Sequence, residues 1–450
     1  MTRQKRRILF YLFLAGFLLI APVIIFYAIG RVPDLTTFSF IKTGGIFVKS
    51  KTTGLNVFLN NEFYKETSFF SGGALLTNVK TGRYILKIEK NDHKPWYKSV
   101  DVFPEQVTEL RNILILPEKI DIAVLEAAGD NIVSISPDGS RILFAKKEKS
   151  LLTLFLFSIE DKKSYPITQV SQSQISRVIW ENSTVILQRG DFFSVVKESL
   201  KNLVEEPIVP PSKFGFINVD FYPSTKDSLL VLDSDGKLYL LGTGVAKKIR
   251  DNVNSFGVYG SDIFFVDKNG FLAKLNIDTN EVKIIDRPGF FLSDEPAEVK
   301  FSSKGDLFLI DSSGGLFFVS RQEEDIIHPV AGEVRGAEFD SEGKKLLFWT
   351  PNEIKIFWVE PNIYQPFQKE FAIEPIFKID SGLQEAGWFT KDDFHIIIRA
   401  DSGVYITEID GRGGRNTIEL TNEKTDKIFW DKNLNKLYFS SPEGIKTINL

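Results

Sequence analysis

From residue 44 to the C-terminus, apolar and polar residues alternate in short runs, the period of strands with one buried face. Turns rich in Asn, Asp, Gly and Ser punctuate the runs, so antiparallel hairpins are predicted along this whole length. The front of the chain differs. Ile8 to Ile29 is an uncharged apolar run of 22 residues, enough to cross a hydrocarbon core of ~30 Å as a helix. Pro22 inside it is tolerable in lipid. Arg3, Lys5, Arg6 and Arg7 precede the run, whereas only Arg31 and Asp34 follow closely. The positive-inside bias then places the N-terminus in the cytoplasm and everything from about residue 30 onward outside. Ala28-Ile29-Gly30 also has the small-residue spacing of a signal-peptidase site, so a cleaved leader is the rival. The run is longer than the ~7–15 residues of a signal core, which favours an uncleaved anchor.

Beyond residue 120 one pattern recurs. "SISPDGSRILF" is echoed by "VIWENSTVILQ", "VDFYPSTKDSLLVL", "GVYGSDIFFV", "VKFSSKGDLFLI", "AEFDSEGKKLLFW", "GWFTKDDFHIII" and "IFWDKNLNKLYF". The apolar residue before each turn is Ile135, Trp180, Phe221, Val258, Phe301, Phe339, Phe389 and Trp430, at spacings of 45, 41, 37, 43, 38, 50 and 41 residues. That period matches four-stranded propeller blades of ~40–45 residues. Gly139, Gly305 and Gly343 stand four positions after the apolar residue, where a hairpin can demand φ > 0. A second turn follows in several units, at Asp233-Ser234-Asp235-Gly236, Asp267-Lys268-Asn269-Gly270, Asp311-Ser312-Ser313-Gly314 and Asp401-Ser402-Gly403. Ser136-Pro137-Asp138-Gly139 is therefore a turn first, since Pro sets φ, Asp bonds its own backbone and Gly accepts the left-handed conformation.

These units resemble the WD40-like repeats of TolB-type β-propellers, through the Ser-Pro-Asp-Gly hairpin at 136–139 and its altered copies at Ser302-Ser303-Lys304-Gly305 and Asp340-Ser341-Glu342-Gly343. The resemblance spans residues 120 to 450 and implies fold more than function, because such propellers serve binding, scaffolding and occasionally catalysis. The last unit has only three strands before the chain ends, which would leave an unpaired edge. The strand Ile120 to Leu125, just ahead of the first unit, can supply the fourth and close the ring. Eight blades result, with seven as the alternative if the second or fourth unit is irregular.

Residues 44–117 alternate with period two at Ile46-Phe47-Val48, Leu55 to Leu59, Tyr84 to Ile88 and Ile113 to Leu116, with turns at Asn60-Asn61, Gly72-Gly73 and Thr81-Gly82. A compact antiparallel sandwich is predicted. The stretch resembles the PEGA domain, a small β-sandwich of bacterial surface proteins, in Gly45-Ile46-Phe47-Val48, Val57-Phe58-Leu59-Asn60-Asn61, Gly82-Arg83-Tyr84 and the closing strand to Leu116. The tetrapeptide that names the family is absent, and Lys51-Thr52-Thr53-Gly54 stands near its place. The resemblance implies adhesion or scaffolding and no catalysis.

Composition narrows the chemistry. The 450 residues contain no cysteine, which removes disulfides, thiol catalysis, Cys zinc sites and Cys lipidation. Net charge is −4, and setting aside the four basic side chains ahead of the anchor leaves −8 outside, so nucleic acid is not an expected partner. His93, His328 and His395 are too scattered for a His-rich metal site. No G-x-S-x-G elbow, G-K-[ST] loop or H-E-x-x-H helix occurs. Asp233-x-Asp235-Gly236 resembles the start of a calcium loop, but its twelfth position is Gly244 rather than Glu, which favours a hairpin turn. Gly411-Arg412-Gly413-Gly414-Arg415 could present two guanidiniums to an anion or be an exposed hairpin. No catalytic, cofactor or metal residue is assigned.

Two places could meet a partner. Trp96 and Tyr97, within the aromatic-basic cluster of His93, Lys94 and Lys98, could touch a partner or a lipid headgroup; the other reading buries Trp96 at a strand end and solvates the lysines. Tyr364 and Phe367 lie in "VEPNIYQPFQKEF", the longest excursion of the sixth unit, and extra loop length is often a binding device. The expectation is an all-β chain: a cytoplasmic tip and transmembrane anchor (1–30), a stem (31–43), a PEGA-like sandwich (44–117) and a β-propeller (118–450). Its expected role is extracytoplasmic binding of an envelope protein or glycan at a bacterial cell membrane. A propeller enzyme acting on sugars or peptides is the alternative, which carboxylates converging at the ring centre would favour.

Overall fold

The structure, a computed structural model, describes residues 3–28, 31–34, 39–125, 131–136, 139–148, 151–171, 175, 177–181, 184–189, 192–199, 202–208, 215–223, 228–242, 246–286, 298–323, 326–380, 382–431, 435–441 and 443–450. Pro137 and Asp138 of the first repeat hairpin, Gly30 of the candidate cleavage site and Gly244 lie outside the described residues. The chain divides into two units. Unit 1 is Met1–Ile120 with two later segments, Asn362–Phe367 and Glu408–Thr417; unit 2 is the remainder.

Unit 1 begins with the helix Arg3–Ala28, α1, which is long and apolar enough to cross a membrane. Two four-stranded sheets follow. In one, Ser39–Ser50 pairs with Arg31–Asp34, antiparallel with Gly73–Lys80 and parallel with Val107–Ile113. The other runs Glu62–Glu66, Asn56–Leu59, Gly82–Glu89, Trp96–Val102. The alternation read from sequence puts Ile46, Val48, Leu55, Val57, Leu76, Leu86, Ile88 and Trp96 into one shared core. The hairpin at Asn60-Asn61 has φ of 50° and 69°, the two positive values of a two-residue turn whose twist matches its strands.

The described residues of the expected stem form strands. Residues 31–34 pair with the start of Ser39–Ser50, Arg31 opposite Lys42 and Asp34 opposite Ser39. Backbone pairing orders this stretch while Phe40 stays exposed, so no buried face wrote an alternation into the sequence.

Unit 2 is a β-propeller by its own sheets. Among the described residues it holds eight four-stranded antiparallel sheets, seven made of consecutive strands. Their first strands are Asn131–Ile135, Arg177–Glu181, Phe216–Phe221, Val253–Tyr259, Glu298–Phe301, Gly336–Phe339, Leu383–Trp388 and Ile428–Asp431. The recurring apolar residue stands at or next to the end of each, from Ile135 to Trp430, so the sequence period is the sheet period. The eighth sheet takes its fourth strand from Ile122–Val124, which pairs with Gly444–Asn449.

Turn chemistry repeats with the sheets. Asp233, Asp267 and Asp311 each accept two backbone N–H groups through Oδ1, from residues two and four further on, at 2.7–3.0 Å. Gly236, Gly270 and Gly314 close these turns at φ of 82–85°. The Asp233 carboxylate is thus part of a hairpin. Neighbouring sheets bury their faces against each other: Leu143, Leu154, Val185 and Leu187 join the first and second, and Ile142, Phe144, Phe157, Tyr438 and Ile445 join the first and eighth.

Candidate functional site

The repeat register builds a site in unit 2. The residue just before the recurring apolar position is Ser134, Ile179, Asp220, Gly257, Lys300, Glu338, Trp388 and Phe429 in the eight units. Being one step out of phase, it points to the opposite face of its strand from the apolar residue. Where the first strands of the fifth to eighth sheets come together they line a cavity of about 690 Å³, with Lys300, Glu338, Trp388 and Phe429 all on its wall. Phe301, Phe339, Trp349 and Trp430 add aromatic surface, and Glu385 adds a second carboxylate.

Most charges here are paired. Lys300 lies 2.8 Å from Glu298, and Arg399 donates to Glu385 at 3.1 Å. Asp340 and Lys345 form a buried pair at 2.9 Å, with the Lys345 ammonium 4.6 Å from the Phe394 ring centre and 5.2 Å from that of Trp388. Ser341 donates to Asp393. Glu338 is the exception. Among the described residues its carboxylate has no ion-pair partner; it accepts one long hydrogen bond, 3.4 Å, from the Trp388 backbone N–H. The Trp388 indole N–H donates to the Glu338 carbonyl at 3.0 Å and fixes the two strands side by side.

Water reaches Glu338 through the open mouth of the cavity, yet protein crowds it on its other sides. That crowding pushes its carboxyl up to about 7, against the opposing pull of the Trp388 N–H and Lys300 and with the added push of Glu385 and Asp393. Burial also raises Asp220 on the third sheet, opposed by Arg177, the Phe221 N–H and Lys300.

The residues singled out from sequence lie in unit 1. Trp96 is 4% exposed and its indole N–H donates to Glu408 at 3.2 Å, so its ring is not presented to a partner. Tyr97, next along the strand, points the other way and is exposed. Lys98 follows Trp96 inward instead of being solvated: it donates to Glu408 at 2.6 Å and to the Asp410 carbonyl at 2.9 Å. Tyr364 and Phe367, expected on the propeller, belong to unit 1. They are 59% and 69% exposed, and the Arg111 guanidinium sits 5.4 Å from the Tyr364 ring centre.

Arg412 is neither an anion receptor nor an exposed hairpin charge. It bonds both oxygens of Asp410, the Gln365 side-chain oxygen at 2.9 Å and the Glu109 carbonyl at 2.7 Å. A Cβ at Gly413 would run into the Ser99 carbonyl oxygen, which explains a glycine there. His395 is buried and bonded to Asp392 at 2.8 Å.

No protein-family model matches the chain, and no curated protein matches it. Solved structures do resemble it. The C-terminal WD40 domain of Sif2 aligns at 11% identity over 73% of this chain and 97% of its own, with a TM-score of 0.49. Saccharomyces cerevisiae Sqt1 aligns at 9% over 72% and 96%, also at 0.49. The β-propeller domain of Myceliophteria thermophila Cps50 (Swd1) aligns at 13% over 74% and 100%, at 0.43. At these scores the likeness adds no argument, and the propeller assignment rests on the sheets of unit 2.

Sequence reasoning missed Glu338. The signal was present in the repeat, because Asp220, Lys300 and Glu338 are charged at the same register position. What one chain of letters hides is which of those charges finds a partner.

Proposed function

We propose that this chain is a membrane-anchored extracytoplasmic binding and scaffolding protein of the bacterial cell envelope, without catalytic activity, that recognises a protein or glycan through unit 2. The observation that carries the binding role is the 690 Å³ cavity, whose wall mixes aromatic rings with charged and hydroxyl side chains, within the ~300–1,000 Å³ range of ligand sites. The exposed apolar side chains of α1 support the anchor, since lipid is the medium that would cover them. On this reading the sheets of unit 1 are a PEGA-like sandwich and those of unit 2 are eight blades of a closed ring. The Ile122–Val124 pairing and the apolar cluster joining the first and eighth sheets support closure.

Protease added to intact spheroplasts should digest residues 31–450 and spare the first few; protection of the C-terminus overturns the outward topology. Full-length protein in detergent should capture a specific envelope protein or glycan, and Trp430→Ala with Phe429→Ala should abolish capture. Capture indifferent to that pair removes the cavity from the binding role.

One observation favours the enzyme as a second reading. Glu338 and Glu385 line the same cavity, and crowding holds Glu338 near the pH at which a general acid works. Turnover of a glycoside or peptide substrate, lost in Glu338→Gln, would replace the binding reading.

A further inference from the structure

The cavity of unit 2 is walled by aromatic surface and by charges that cancel, save one. Lys300 is matched by Glu298, Glu385 by Arg399 and Asp340 by Lys345, each within 3.1 Å. Among the described residues Glu338 has no such match, and its carboxylate accepts one hydrogen bond, from the Trp388 N–H. Glu338 is exposed at the mouth of the cavity, so its carboxylate is open to a cation from outside, and the protein wall beside it strengthens that attraction over its value in open water. The surrounding rings favour the same guest. Phe301, Phe339, Phe429 and Trp430 are partly exposed on the cavity wall, and the face of an aromatic ring attracts an ammonium or guanidinium within about 6 Å. The protein already uses this chemistry beside the cavity, where Lys345 lies among the rings of Trp358, Trp388 and Phe394 at 4.6–5.8 Å.

We infer that the cavity receives a basic side chain, Lys or Arg, from a protein partner, with Glu338 as its counter-ion and the rings of Phe339, Phe429 and Trp430 around its alkyl stem. This rests on the binding reading above and narrows it from protein or glycan to a protein bearing an exposed cation. A neutral sugar would find rings to stack on, but it would leave the Glu338 charge uncompensated.

Protonation gives the inference a second handle. The groups that act on Glu338 are the Trp388 N–H and Lys300, which favour the charged form, and Glu385 and Asp393, which oppose it together with burial. Glu298, Arg399 and Lys345 neutralise Lys300, Glu385 and Asp340. A cation binds the ionised form, so affinity should rise as pH increases through about 7 and release a proton on binding below that pH.

The test uses the full-length chain in detergent and titrates tryptophan fluorescence with short blocked peptides carrying one Lys or one Arg, their norleucine and citrulline counterparts, lysinamide and a neutral oligosaccharide. Saturable binding of the Lys or Arg peptide, at least tenfold tighter than its uncharged counterpart, is expected. Affinity should fall several-fold from pH 8 to pH 6. Glu338→Gln should lose about tenfold and flatten the pH dependence, whereas Lys300→Met, read at pH 8 where Glu338 is ionised, should tighten binding because Glu298 loses its partner and the cavity mouth gains net negative charge. The Lys300 variant serves if the Glu338 variant does not fold. Equal binding of charged and uncharged peptides, weaker binding in Lys300→Met, or no binding of cationic peptides in the millimolar range overturns the inference. Binding of the oligosaccharide alone overturns it while leaving the cavity a binding site. Lysinamide binding as tightly as the peptides assigns the cation to a small amine and overturns the protein partner.

Discussion

Arg412 in unit 1 is a half-buried charge and Glu338 in unit 2 an exposed one on a cavity wall, and they meet opposite fates. Arg412 spends its guanidinium on Asp410, Gln365 and the Glu109 carbonyl. Among the described residues Glu338 keeps a carboxylate with one long hydrogen bond and no ion-pair partner. From sequence the first was an anion receptor or an exposed hairpin charge; the second was one letter in a strand. The difference teaches that a charge becomes available for recognition by what its fold withholds from it. Glycines around Arg412 bring backbones close, as Gly413 does against Ser99, and close backbones supply partners. The cavity around Glu338 keeps partners away.

The largest effect should come from the most fully partnered charge in unit 1. Lys98 and Glu408 have side chains only 1% and 7% exposed, and Glu408 also accepts from Trp96 and from the backbone and side chain of Asn416. Glu408→Ala leaves the Lys98 charge buried without its carboxylate, which should cost about 3–5 kcal/mol. Urea unfolding would measure it. A loss below about 1 kcal/mol would mean that water reaches Lys98, and would weaken the contrast between the units.

Arg412→Ala comes next, with an expected loss of about 2 kcal/mol from several charge-assisted hydrogen bonds. Arg412→Lys should recover little, because an ammonium cannot span Asp410, Gln365 and Glu109 together. Burial works to raise the Asp410 carboxyl, but the Arg412 hydrogen bonds and the charges of Lys98 and Arg412 take it below its ordinary range. A carboxyl depressed in the folded state contributes stability above its unfolded pKa and loses it as pH falls through the folded one. The wild type should therefore lose this contribution in acid below about pH 4, and the Arg412→Ala variant should show a smaller loss there.

Glu338 has the reverse sign. Its folded carboxyl is raised to about 7, so the folded state binds the proton more tightly and stability declines as pH rises from the unfolded pKa toward 7. Glu338→Gln should stabilise the protein at pH 8 by about 1 kcal/mol, after allowing for screening through the open mouth, and by nothing measurable at pH 4. Destabilisation at pH 8 would show that the charged form is supported by the fold, and the comparison with Arg412 would fail.

How far the sequence reaches follows from these same residues. Ile135 to Trp430 could be counted because each stands at or next to the end of the first strand of a sheet, and a period of about 42 survives degraded turns. The completing strand Ile122–Val124 was inferable from the three-stranded last unit, since an edge needs covering. Residues 31–34 and 39–42 gave no alternation to read, because they pair with each other by backbone. The membership of Tyr364, Phe367 and Arg412 in unit 1 was not legible either. It depends on contacts such as Gln365 with Val107 and Arg412 with Glu109, between residues more than 250 positions apart. Lys98 was half legible: its place two residues after Trp96 on a strand marks it as inward, and an inward lysine requires a carboxylate that only the fold can name.

The smallest effect sharpens the comparison most. Tyr364 and Phe367 are more than half exposed, and their described contacts are slight: the Arg111 guanidinium at one face of Tyr364 and the rim of a cavity of about 470 Å³ beside Phe367. Exposed cation–π contacts are worth ~0.5–1 kcal/mol, so replacing both with Ala should change stability by no more than about that amount. For binding the two units make different predictions. A partner that uses the Glu338 cavity should be captured equally by wild type and by the Tyr364→Ala, Phe367→Ala double variant, while the Trp430→Ala, Phe429→Ala pair loses it. Loss in the unit 1 variant with stability intact, at the ~2 kcal/mol or more per ring expected of aromatic hot spots, would place recognition in unit 1. Exposed rings would then outrank the uncompensated carboxylate as the guide to this protein's partner.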